Sequence, residues 1–175
     1  MPFEEILGLP AHPLLVHAAV VLVPLLIVVG IGYGLIPPLR RKLDVVLVAL
    51  ALAAPGAVFA ARESGAEFEK RLASKDQLPA ELAEKVANHS ALSETLWWLV
   101  LALGGLALLL VLADKLLSPR TTVYDEDGDE MRTGGVFRFL VTLLLTLALL
   151  GVGAGAGWYV YRTGHTGSQM VWEGS

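Results

Sequence analysis

A chain of 175 residues that is 55% hydrophobic and 17% charged is more apolar than a water-soluble domain, in which about a quarter of the residues are charged. Its formal net charge of −4 offers no basic excess to neutralise a phosphate backbone, which excludes nucleic acid as a partner. The absence of cysteine excludes disulfides, thiolate nucleophiles, iron–sulfur clusters and covalently attached haem of the c type.

Residues 1–10 carry Glu4 and Glu5 and no cation, the wrong sign for the head of a secretory signal, so the apolar run that follows is expected to be a retained helix. Residues 14–36 are apolar except for His17 and are long enough to cross a hydrocarbon core of about 30 Å. The second predicted span, 45–61, is shorter and holds Pro55 and Gly56. The third, 96–113, opens on Trp97 and Trp98, rings that favour a headgroup interface. The fourth, 139–161, has no charge and closes on Trp158, Tyr159 and Tyr161, with Arg138 able to snorkel at its other end. The pattern predicts an all-α fold: a four-transmembrane-helix bundle forming a single integral membrane domain over 1–175.

The links decide orientation. Arg40, Arg41 and Lys42 follow the first span, whereas the segment before it has no cationic side chain, so the positive-inside rule puts that link in the cytoplasm and both termini outside. The outer loop, 62–95, spaces Glu67, Glu69, Lys70, Arg71, Lys75, Asp76, Glu81, Glu84 and Lys85 among Phe68, Leu72, Leu82 and Val86. Two short amphipathic outer helices are expected there, with a break at 76–78 and Pro79 in the first turn of the second, which runs through His89 into the third span. The inner loop, 114–138, contains the acidic run Asp125, Glu126, Asp127, Asp129 and Glu130 and reads as a solvated turn or short hairpin. It lacks the closing glutamate and flanking helix pair of an EF-hand, which argues against calcium. No internal repeat is visible beyond the helix count.

This topology puts all four histidines, His12, His17, His89 and His165, on the outer side. Pro13 sets the first helical turn, so His17 lies about 6 Å inside the first span and is the deepest of them. An ionisable group within a span is costly unless it faces the bundle and finds a partner. Imidazole is also a preferred axial ligand for non-covalent haem and a common ligand for transition metals. His17, His89 and His165 are therefore the candidate ligands for haem b; for a metal ion the set widens to His12, His17, His89, His165, Glu63 and Glu67, the carboxylates completing the site or orienting an imidazole N–H. For His12 alone, a helix cap or interfacial anchor is the simpler account. Gly151, Gly153, Gly155 and Gly157 would let helices approach closely or leave room for a flat macrocycle. No serine is set in a strand-turn-helix elbow and no strand precedes the glycines, so the residues favour a non-enzymatic role.

The opening Gly8-Leu9-Pro10-Ala11-His12-Pro13-Leu14-Leu15-Val16-His17 and the closing Arg162-Thr163-Gly164-His165-Thr166-Gly167-Ser168-Gln169-Met170-Val171-Trp172 resemble the corresponding segments of the bacterial membrane family catalogued as domain of unknown function 2231. Glu63-Ser64-Gly65 and His89 also fall where that family places a polar group and a histidine. Ala18 and Ala19 depart from its pattern, which often continues with Phe and Pro. The resemblance implies a four-helix protein of a bacterial plasma membrane with a histidine-bearing outer face, and it brings no reaction. Taken together, the expectation is an accessory or redox-associated membrane subunit, in contact with the lipid bilayer and with other subunits of a larger complex, with haem b or a metal ion near the outer face. The alternative is a structural or interaction subunit with no cofactor.

Overall fold

A computed structural model describes residues 5–6, 9–76, 78–118, 123–124, 130–131 and 135–172. Two residue pairs, β1 (Glu5–Ile6) and β2 (Leu9–Pro10), lead into helix α1 (Ala11–Leu35). A 3-10 turn at Pro37–Leu39 reverses the chain into α2 (Arg40–Ser74), and α3 (Ala80–Leu116) runs back. Strands β3 (Val123–Tyr124) and β4 (Glu130–Met131) pair antiparallel, Val123 opposite Met131, before α4 (Gly135–Trp172) completes the chain. The acidic stretch Asp125–Asp129 between them lies outside the described residues. Each helix packs on its sequence neighbours and α4 closes the ring on α1, giving an up-and-down four-helix bundle. All four helices are long and apolar enough to cross a membrane.

The helices outrun the predicted spans. With 35, 37 and 38 residues, α2, α3 and α4 reach about 52–57 Å at the standard rise, some 20 Å more than a hydrocarbon core needs. The second outer helix runs unbroken into the third span as part of α3, from Ala80, as expected, whereas the first is no separate helix but an uninterrupted continuation of α2 to Ser74. Nothing in 62–74 breaks the i to i−4 ladder, so the backbone stays satisfied by continuing it. The break comes at Lys75 and Asp76, the latter at φ 57°, in the left-handed region that Asp tolerates better than most residues. Pro79 caps α3 from outside rather than sitting in its first turn.

The interior is built from Val23, Leu26, Leu47, Val100, Leu103, Leu110 and Leu149, all fully buried, while Val21, Val28, Leu52 and Leu144 face outward. Lipid tails are as apolar as leucine, so burial gives little drive between helices and close packing must supply it. Small residues do this. A Cβ on Gly153 would lie 3.3 Å from Ile27, and one on Gly30 would lie 3.0 Å from Leu149.

At the end where α1 turns into α2, hereafter the arginine end, polar groups knit all four helices. Arg40 is buried, and its guanidinium donates to the Tyr33 and Gly34 carbonyls, which the end of α1 would otherwise leave orphaned, and to Asp114 at 2.8 Å. Arg138 reaches the same Asp114 oxygen at 2.7 Å. Tyr33 donates to Asp44 at 2.8 Å, and Lys115 pairs with the other oxygen of Asp44.

Candidate functional site

The opposite end, the histidine end, holds the start of α1, the last turns of α2, the first turns of α3 and the last turns of α4. Here α2 presents Ser64 and Gly65 to α1. Ser64 is buried, and its hydroxyl donates back to the Ala61 carbonyl at 2.7 Å. The Nδ1 of His12 lies 3.0 Å from that carbonyl and 3.0 Å from Ser64 Oγ. A carbonyl can only accept, so Nδ1 carries the proton, and in the neutral ring Nε2 is left with its lone pair. Gly65 makes room for the ring: a Cβ there would sit 3.1 Å from His12 Cε1. Phe68, one turn on, stacks nearly parallel to the imidazole with centroids 6.5 Å apart.

Helices α3 and α4 repeat the arrangement. The Thr166 hydroxyl donates to the Thr163 carbonyl at 3.1 Å. His89 Nδ1 lies 3.1 Å from Thr166 Oγ1; the hydroxyl proton is committed to Thr163, so this oxygen accepts and Nδ1 carries the proton. A Cβ on Gly167 would lie 3.3 Å from His89 Cε1. The hydroxyl of Thr163 is itself buried with no hydrogen-bond partner, an unsatisfied polar atom one turn from the ring. His12 lies within electrostatic reach of His89, and among the described residues neither Nε2 takes part in a hydrogen bond.

The other residues singled out from the sequence lie elsewhere. His17 is exposed, and its Nδ1 donates to Pro13 of its own helix at 2.5 Å. Five residues along a helix rotate a side chain by about 140°, so with His12 facing α2, His17 turns away. His165 is exposed and stacks on Tyr161, centroids 5.9 Å apart. Glu67 pairs with Lys70 at 2.8 Å, and Glu63 contributes to the field at Lys70. Glu94 takes the Arg62 guanidinium and the Trp98 indole. Among the described residues no group of three or more histidines and carboxylates is placed to hold a metal ion. Of the four histidines, His12 and His89 are the two whose rings are held by a neighbouring helix.

Ser64, Gly65, Thr166 and Gly167 are the site residues that reasoning from the sequence missed as cradles. Their one signal is a hydroxyl residue followed by glycine, Ser64-Gly65 on α2 and Thr166-Gly167 on α4, and on α4 the pair Thr163-Gly164 shares it. The glycines of the fourth span do not frame a cavity: Gly153 and Gly157 face Ile27, Gly155 faces Leu99, and Gly151 looks onto open space.

No family model, curated protein or solved structure matches the chain.

Proposed function

We propose that this multi-pass membrane protein binds b-type haem between His12 and His89, and that it serves a larger membrane complex as an accessory, redox-associated subunit. The reading includes placement in a bacterial plasma membrane with the histidine end outward. One observation carries it: two imidazoles from different helices, His12 fixed through Nδ1 by the Ala61 carbonyl and the Ser64 hydroxyl and His89 by the Thr166 hydroxyl, each keep an Nε2 lone pair for a ligand. A histidine that ligates a metal characteristically donates its other N–H to a hydrogen-bond acceptor, which sets the tautomer and raises the basicity of the ligating nitrogen. Two protein donors are too few for a bare ion such as zinc, which takes four. They would suit haem, with His12 and His89 as the residues that would hold its iron.

Haem, when bound, supplies a one-electron couple; the protein's part is confined to its own side chains. Ala61 and Thr166 hold the protons of the rings, Gly65 and Gly167 give the rings space, and Phe68 stacks on His12. With His12 and His89 both holding it, the group would supply electron transfer rather than catalysis on a substrate.

The test is the visible spectrum of protein produced with adequate iron and haem supply, followed by titration of the purified protein with hemin. The expected result is a Soret band at one haem per chain that is lost in His12→Ala and in His89→Ala. Protein that stays colourless and takes up no hemin sinks the proposal, and stoichiometric zinc or copper in its place assigns the pair to a bare ion.

A further inference from the structure

We infer that the two histidines are presented by two copies of one structural unit, and that Ser64 and Thr166 are its paired positioning residues, each holding its ring with Nδ1 protonated and Nε2 open to a ligand. The inference deepens the proposed function and rests on it only for the identity of that ligand.

The correspondence is residue for residue. In the first unit α1 carries His12, and α2 supplies the Ala61 carbonyl, the Ser64 hydroxyl three residues later and Gly65 next to it. In the second, α3 carries His89, and α4 supplies the Thr166 hydroxyl, bonded to the Thr163 carbonyl three residues back, and Gly167 next to it. Each hydroxyl donates to the carbonyl one turn back and so turns its oxygen lone pairs toward the imidazole N–H. Each ring packs its Cε1 on the adjacent glycine. Both units run the same way through the bundle, from a descending helix to an ascending one, so a two-fold axis along the bundle relates them, the arrangement of parallel repeats in membrane folds.

A chain has no packing reason to build this twice. A solitary imidazole at a helix end is satisfied by one acceptor or by water, whereas each ring here has a hydroxyl tied to the carbonyl one turn back and a clearance glycine. The shared product of the two units is a defined tautomer, Nδ1–H with Nε2 unprotonated, on both rings. Two equivalent neutral nitrogen donors suit a ligand that is symmetric about the axis, namely a transition-metal centre coordinated from two sides by imidazole. They do not suit an anion, which needs N–H donors, or an organic cation, which needs carboxylates.

The register also exposes a difference. Phe68 stands three residues beyond Gly65, and the counterpart beyond Gly167 is Met170. The His12 ring is thus clamped by an aromatic neighbour where the second unit has a thioether.

The deciding experiment is nitrogen-15 NMR of imidazole-labelled full-length protein in detergent micelles without added haem, with His12→Gln and His89→Gln to assign the two rings. Both rings are expected as the Nδ1–H tautomer at pH 8. Ser64→Ala and Thr166→Ala are each expected to raise the share of the other tautomer in their own ring alone, by about fivefold for loss of a hydrogen bond worth roughly 1 kcal/mol. Ser64→Thr and Thr166→Ser are expected to retain the wild-type state. An Nε2–H tautomer in either wild-type ring, or no response of the tautomers to the hydroxyl deletions, overturns the inference whether or not haem binds. Correct tautomers in a protein that refuses hemin overturn only the identity of the ligand, and tryptophan fluorescence of each variant, unchanged from wild type, reports that the bundle is folded.

Discussion

Neighbouring glycines on α3 should respond in opposite senses to the same substitution. Pro55 lies inside α2 and has no N–H, so the Ala51 carbonyl four residues back loses its helical donor. That carbonyl points at α3, where a Cβ on Gly104 would fall 2.6 Å from the Ala51 oxygen and 3.3 Å from Pro55 Cγ. Carbon–oxygen contact begins at about 3.3 Å, so Gly104→Ala requires α2 and α3 to part by about 0.7 Å along their packed length. Overpacking of this kind costs about 1–3 kcal/mol. A Cβ on Gly105 meets nothing within 4 Å, and alanine there gains up to about 1 kcal/mol of helix propensity. Both variants share that gain, so the gap between them isolates the steric cost, about 2 kcal/mol, or roughly thirtyfold in the unfolding equilibrium. The assay is reversible unfolding in mixed micelles by titration with a denaturing detergent, followed by tryptophan fluorescence. Gly104→Ala is expected below wild type and Gly105→Ala at or above it. Equal stability of the two variants refutes the close approach of α3 to the freed carbonyl.

Three further outcomes follow from other contacts. Asp114→Asn removes the one carboxylate shared by Arg40 and Arg138 and leaves two guanidinium groups facing each other. A loss of about 3–5 kcal/mol is expected in the same unfolding assay, and a variant as stable as wild type would show that the triad is not closed in the membrane. Gly34→Ala places a methyl group against the Thr146 side chain and should cost about 1–3 kcal/mol; adding Thr146→Ala should recover part of it, and additive losses would count against the contact. His17→Ala, on an exposed ring bonded to its own helix, should leave hemin uptake unchanged where His12→Ala abolishes it, a contrast read directly from the Soret titration.

The spans were legible because lipid imposes a rule the sequence must obey: every backbone N–H and C=O satisfied within a helix, and some twenty apolar residues in a row. Beyond the bilayer that rule lapses. The charged stretch 62–74 contains its own helical signal, but no residue in it says whether it joins α2 or restarts, and only the unbroken ladder to Ser74 answers that. The same limit governed the site. Depth in the membrane drew attention to His17, yet the direction of a side chain depends on helical phase, and the five residues separating it from His12 turn it out of the bundle. The residue at the edge of the span, which composition alone describes as an anchor, is the one that meets α2. Ser64 and Thr166 carried no charge or motif to mark them, because their role exists only once 52 and 77 residues of chain have folded back.

The two ends of the bundle divide the work between stability and binding. At the arginine end the strongest donors and acceptors are turned on one another: Arg40 caps α1 and pairs with Asp114, Tyr33 and Lys115 share Asp44, and Arg138 joins the same centre. Breaking one member strands a charge, so this end resists separation of the four helices. At the histidine end the polar groups are instead arranged to hold two rings while leaving one face of each uncommitted. Under the proposed haem binding the place of the cradles, beyond the predicted spans on the extensions of α2 and α4, has a physical reason: there water can satisfy Nε2 until a ligand arrives, whereas a ring buried deeper would have to find a permanent protein partner and would have no donor left to offer.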